Sequence, residues 1–103
     1  MGRLKLFAEV VEGETLFDRR TIKPVGRDAQ TLQALIEAGP RGVTSQDVGG
    51  WAVRLSHYVF KLRSVYGLSI ETREETHGGP YPGKHGRYFL RSRVRLLDER
   101  EAA

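Results

Sequence analysis

The chain has 103 residues, a formal net charge of +4 and no cysteine. A chain of this length makes one domain with one modest core, burying about 60 to 70% of the surface its unfolded form exposes. Without cysteine, disulfides, thiolate metal sites and cysteine nucleophiles are excluded within the chain. Hydrophobic residues at 39% and charged residues at 29% are ordinary for a folded globular domain. No apolar run reaches the roughly 18 residues that a membrane helix needs, and the first 14 residues lack the apolar stretch of a secretory signal. A cytoplasmic location without a membrane partner is therefore expected.

The charge is unevenly placed. Residues 1–40 are neutral overall, residues 41–95 carry +6 and residues 96–103 carry −2. A basic middle and later region raises the question of a polyanionic partner such as nucleic acid.

From Arg3 to Val11 the sequence alternates Leu4, Leu6, Ala8 and Val10 against Arg3, Lys5, Phe7 and Glu9, the period of a half-buried strand. "EGET" reads as a turn, with short return strands at Thr15 to Phe17 and Thr21 to Lys23, closed by Pro24 and Gly26. Asp28 is placed to cap a helix over Ala29 to Ala38, whose Ala29, Leu32, Leu35 and Ile36 share one stripe; Gly39 and Pro40 stop it. Thr44, with Asp47 three residues on, predicts a second, short helix ended by Gly49 and Gly50.

The third predicted helix runs from Trp51 or Ala52 to Tyr66. Ala52, Leu55, Val59, Leu62 and Tyr66 fall on one narrow stripe, flanked by Trp51, Tyr58 and Val65. The opposite face carries Val53, His57, Phe60 and Ser64, with Arg54, Ser56, Lys61 and Arg63 along its margins. Strand period returns in "GLSIETREET", with Leu68, Ile70 and Thr72 on one side. A loop from Thr76 to Gly86 then leads into "RYFLRSRVRLL", where Tyr88, Leu90, Ser92, Val94 and Leu96 alternate, so a hairpin is predicted. There is no internal repeat and no domain linker.

Chemical motifs are sparse. "GGPYPGKH", Gly78 to His85, resembles a phosphate-binding loop, but that loop needs a helix after it and a hydroxyl where His85 stands, and a strand follows here. His77 and His85, with Glu74, Glu75 or His57, match no zinc spacing, so no metal is expected. Ser56 and His57 are helical neighbours pointing about 100° apart, and the carboxylates Glu71, Glu74 and Glu75 read as solvated strand charge. No catalytic residue, cofactor or small-molecule substrate is evident, and an enzyme is not expected.

What remains is an element order: helix, short capped helix, glycine turn, longer helix, hairpin. It is the arrangement in which the second helix of a pair enters a DNA major groove and the hairpin forms a wing. Several features resemble the winged helix-turn-helix domains of bacteria and prophages: Thr44 and Ser45, Arg54 and Leu55, Leu62 and Arg63, Gly67, Ile70 to Thr72, and Arg87 and Tyr88. The resemblance covers about half the chain, or two-thirds with the first helix, and names no catalytic residues. It implies an α+β fold with a three-helix core and a hairpin wing, to which the residue pattern adds N-terminal strands; Met1 to Arg27 has no counterpart in the resemblance.

The expected organisation is a strand extension over residues 1–27 packed on the domain, the winged helix-turn-helix domain over 28–97, and a disordered tail over 98–103. The expected function is binding of double-stranded DNA, as in a small transcriptional regulator. Ser45 and Gln46 would touch phosphate, Arg54, His57, Lys61 and Ser64 would line the groove, and Lys84, His85 and Arg87 would bind from the wing. Two half-sites about 34 Å apart would suit a homodimer. The alternative is a protein-interaction module on the same scaffold, suggested by Val53 and Phe60 facing outward and by the extra strands. On that view Arg54, Lys61 and Arg63 are a solvated helix face, with Arg63 paired to Glu71.

Overall fold

A computed structural model describes residues 3–49, 54–80, 82–98 and 100 of the chain. The elements are β1 (Phe7–Val11), β2 (Arg19–Ile22), α1 (Arg27–Ala38), α2 (Leu55–Ser64), β3 (Ile70–His77), β4 (Gly83–Leu90) and β5 (Arg93–Leu97). They form an antiparallel three-stranded sheet in the order β2-β1-β5 and a separate hairpin, β3-β4.

Alternation builds β1 as expected: Ala8 and Val10 are buried while Phe7, Glu9 and Val11 face the other way. The ladder begins at Phe7, with Lys5 bridging to Val25. Thr15 to Phe17 does not form the expected return strand. The Asp18 carboxylate accepts the Thr15 N–H at 3.1 Å and the Thr15 hydroxyl at 2.8 Å, folding Leu16–Asp18 into a 3₁₀ turn. The return strand, β2, follows it.

Helix α1 buries Ala29, Leu32 and Leu35 along the expected stripe. Asp28, however, is not its cap. Gly26 occupies that position, and Asp28 turns inward from the first turn, where its carboxylate meets the Lys61 ammonium of α2 at 2.9 Å. Gly39, at φ +55°, ends the helix with its N–H on the Leu35 carbonyl.

The second helix is reduced to one turn, so the described residues hold two α-helices rather than three. Asp47 does bond the Thr44 N–H (2.9 Å), and its own N–H meets the Thr44 carbonyl at 3.1 Å, half of the expected capping arrangement. Gly49, at φ +85°, follows two residues later and leaves no length for an i to i+4 ladder. The predicted glycine turn and helix start at Gly50, Trp51, Ala52 and Val53 lie outside the described residues.

Helix α2 buries Leu55, Val59 and Leu62, three members of the predicted stripe. It stops at Ser64, two residues short of Tyr66, which still packs on the core. Val65, placed beside the apolar stripe by the sequence, is 64% exposed. Arg63 anchors the helix to β3: Nε donates to the Ile70 carbonyl at 3.1 Å, and Nη2 reaches that carbonyl and the Thr72 hydroxyl (2.8 Å). Its partner is thus the β3 edge, not Glu71.

The hairpin is tighter than the sequence suggested. Its ladder runs from Ile70↔Leu90 to His77↔Gly83, so Lys84 and His85 are strand residues rather than loop residues, in the same strand as Arg87. "RYFLRSRVRLL" is likewise not one strand. The Arg91 and Ser92 N–H groups both bond the Ser69 carbonyl (2.8 and 3.3 Å), and Ser92 Oγ accepts the Ser69 N–H at 2.8 Å. This corner releases β5 from the hairpin to pair with β1. The N-terminal strands therefore form a sheet with the last strand of the same chain.

One core unites these pieces: Ala8, Val10 and Ile22 from the sheet, Leu32 and Leu35 from α1, Leu55, Val59 and Leu62 from α2, and Ile70 from the hairpin. Asp28 is 5% exposed and sits against this core. Removing its cation should therefore harm stability more than removing the carboxylate, because a buried unpaired charge is worse than a half-exposed ammonium returned to water. Lys61→Met is expected to lower the urea midpoint further than Asp28→Asn; the reverse order would show that the ion pair does not hold α1 to α2. No helix among the described residues is long and apolar enough to cross a membrane. Residues 99 and 101–103 of the expected disordered tail lie outside the described residues.

Candidate nucleic-acid interface

The turn, α2 and the hairpin converge because Val43 and Tyr88 exchange two backbone hydrogen bonds, each 2.9 Å long. This bridge stitches the segment before the turn onto β4. Beside it lies a cleft of about 200 Å³ lined by Ser45, Leu55, Ser56, His85, Gly86 and Tyr88. Ser45 from the turn and His85 from the hairpin, 40 positions apart in the sequence, thus face the head of α2 together.

A chain of polar contacts fixes the hairpin against the turn. The Nδ1 atoms of His77 and His85 lie 2.9 Å apart, so one nitrogen must carry the shared proton. His85 Nε2 is 3.0 Å from Glu75 Oε1, and Arg87 Nε donates to Glu75 Oε2 at 2.8 Å. The Arg87 guanidinium also donates to the Arg41 carbonyl at 3.2 Å and lies 3.6 Å from the Asp47 carboxylate. The Arg87 hydrogen bond, followed by that of His85, holds the Glu75 carboxyl below its usual range. The Thr44 N–H, with further help from Arg87 and Arg41, does the same for Asp47.

Among the other expected contact residues, Gln46 is exposed on the turn and Arg54 at the head of α2. His57 is exposed on α2 with its ring edge-on to Tyr58, the centroids 5.6 Å apart. Ser64 is exposed, but its hydroxyl donates to the Phe60 carbonyl at 2.8 Å. Lys84 reaches Glu74 at 3.2 Å, and about two-thirds of each side chain is exposed. Lys61 stands apart. It lines a different cleft, of about 580 Å³, with Arg3, Val25, Gly26, Arg27 and Tyr58, and its hydrogen bond to Asp28 raises its pKa.

The structure therefore gathers Ser45 and His85 with the head of α2, ties Arg87 to the turn, and directs Lys61 toward α1. It also shows partners that sequence reasoning passed over. Glu71 takes Arg73 and Arg91, and those two guanidinium groups lie 4.9 and 5.0 Å from the Phe89 ring. Glu75 ties His85 to Arg87. A shorter loop would have revealed this, since starting the ladder at His77↔Gly83 puts Glu75 opposite His85 and Arg73 opposite Arg87.

His77 and His85, read from the sequence as loop residues, are partly buried and in contact. Among the described residues, no group of three or more His, Asp or Glu side chains is placed to hold a metal ion. Arg73, Lys84, Arg87 and Arg91 are thus paired with carboxylates of the turn and hairpin. No curated protein and no solved structure matches the chain at a significant level. A model of the winged helix domain family matches residues 21–100, from β2 through α1, the turn, α2 and the hairpin to the end of β5. With that span covering most of its length, the chain belongs to the winged helix domain family.

Proposed function

We propose that the protein binds double-stranded DNA as a small cytoplasmic transcriptional regulator of bacterial or prophage type. The observation that carries this reading is the shared cleft at the head of α2, where the turn and the hairpin both border an exposed helix face. The domain is taken to run from about residue 28 to 97, with residues 1–27 contributing strands to its second sheet. Arg54, His57 and Ser64 offer donors along α2, Ser45 and Gln46 lie where a phosphate would meet the turn, and Lys84 and His85 approach from the hairpin. Arg87 acts as a positioning residue, because its guanidinium is engaged by Glu75, Asp47 and the Arg41 carbonyl. Lys61 serves the α1–α2 contact.

A second reading, an interaction module without nucleic acid, draws on Phe60, which is 62% exposed on the outer face of α2. Val53, the other apolar residue of that argument, lies outside the described residues. Fluorescence anisotropy with a random duplex separates the two. Binding near 50 mM salt is expected, and Arg54→Ser and Lys84→Ser should each reduce the magnitude of the salt slope by about 0.9. No binding at that salt concentration would leave only the interaction reading.

A further inference from the structure

Among the described residues, a concentration of positive charge lies on the outer face of the β2-β1-β5 sheet. Register defines that face. Glu9 pairs with Thr21 on one side and Arg95 on the other, Val11 with Arg19 and Arg93, and Phe7 with Leu97. Paired residues project to the same side of an antiparallel sheet, and Ala8 and Val10 project to the core, so this set looks outward. Lys5 and Lys23 join it, their ammonium groups lying 5.4 and 6.0 Å from the Phe7 ring centroid.

Among the described residues, the face thus carries five cations, Lys5, Arg19, Lys23, Arg93 and Arg95, and a single carboxylate, Glu9. That carboxylate is covered, its side chain 19% exposed with Arg19 at 2.9 Å and Arg95 at 3.7 Å. The excess is as large as the net charge of the whole chain, +4. The sequence conceals it, because Arg93 and Arg95 are counted with the hairpin while Lys5, Arg19 and Lys23 fall in a neutral region. The apolar groups Phe7 and Val11 occupy the middle strand, Arg19, Arg93 and Arg95 occupy the two edge strands, and Lys23 directly follows β2.

We propose that this sheet face is a second nucleic-acid site, for a single strand laid across β1, with a base on Phe7 and phosphates held by the flanking Lys and Arg side chains. Apolar and aromatic groups between two cationic rows suit a single strand, whose bases are available for stacking, better than a duplex, whose bases are already paired and stacked on one another. Lys5 and Lys23 lie over Phe7 in the free protein and would move to phosphate as a base takes the ring. Because the sheet buries its other face in the core shared with α2, the site does not depend on the groove-reading face of α2.

The test is anisotropy with a labelled 20-nucleotide oligo(dT) and with a random 20-base-pair duplex, starting near 50 mM salt. The wild-type protein is expected to bind oligo(dT). Lys5→Ser with Lys23→Ser should reduce the magnitude of its salt slope by about 1.4, and Phe7→Leu should weaken binding about tenfold. Both variants should melt like the wild type and keep their duplex affinity. The pair Arg54→Ser with Lys84→Ser should weaken duplex binding and leave oligo(dT) binding intact; a wild-type protein that binds oligo(dT) but no duplex would count against the α2 reading and not this one. No oligo(dT) binding by the wild type, or equal binding by the sheet variants and the wild type, would overturn the proposal. So would sheet variants that lose duplex and oligo(dT) binding together.

Discussion

Gly42→Ala is expected to destabilise the protein by about 2 to 4 kcal/mol, combining backbone strain with a contact that cannot relax. Gly42 has φ +71°, in the left-handed region that alanine adopts only at a cost. A Cβ there would lie 2.7 and 2.9 Å from two atoms of the Phe89 ring and 2.9 Å from the Tyr88 carbonyl oxygen. Neither neighbour can retreat easily. Phe89 is buried, with the guanidinium groups of Arg73 and Arg91 against its ring, and the Tyr88 carbonyl accepts the Val43 N–H in the bridge that joins the turn to β4. The control is Gly39→Ala: Gly39 has φ +55°, but nothing stands within 4 Å of its added Cβ. Urea melts should show Gly42→Ala as clearly the worse of the two. Equal losses would mean that the turn is not packed tightly on the hairpin.

Leu62→Ala should cost about 2 to 5 kcal/mol, a large share of the roughly 5 to 15 kcal/mol that stabilises a domain. Leu62 has no exposed surface and lies in the cluster that joins α2 to α1 and to the β2-β1-β5 sheet. Truncating it leaves a void between three elements, each already fixed by its own backbone bonds, so collapse around the void is restricted. Its carbonyl also accepts the Leu68 N–H at 3.1 Å, and the adjacent Arg63 holds the start of β3, so the loss should loosen the approach of the hairpin as well. Chemical denaturation gives the value. A loss below about 1 kcal/mol would contradict a close-packed core at this position.

Periodicity carried much of the fold. The stripes Ala29, Leu32, Leu35 and Leu55, Val59, Leu62, and the alternation of Ala8 and Val10, are buried as their spacing requires, because a residue's face is decided locally. Pairing was less legible. Nothing local in "RYFLRSRVRLL" shows that Ser69 captures Arg91 and Ser92 and sends β5 to β1, since that corner depends on residues more than 20 positions apart. The second helix failed for the opposite reason: its capping contact is present, but one turn before Gly49 cannot propagate.

The candidate site was legible in its position more than in its chemistry. The sequence located the turn, α2 and the hairpin, and Ser45 and His85 do meet at the head of α2. It counted Lys61, Lys84, Arg87 and Arg63 as surface cations, whereas Asp28, Glu74, Glu75 and the Ile70 carbonyl engage them in turn. Charge totals along a chain do not register such pairing, because the partners come from other elements. The cationic sheet face was hidden likewise, divided between the two ends of the chain.

Backbone chemical-shift mapping of the protein titrated with duplex DNA tests the DNA reading most directly. The largest changes are expected at Ser45, Gln46, Arg54, His57 and Ser64 and at Lys84 and His85 on β4, with the buried faces of α1 and β1 little affected. Saturable binding with no change at α2 or the hairpin, or with changes confined to the β2-β1-β5 sheet, would contradict docking through the winged helix.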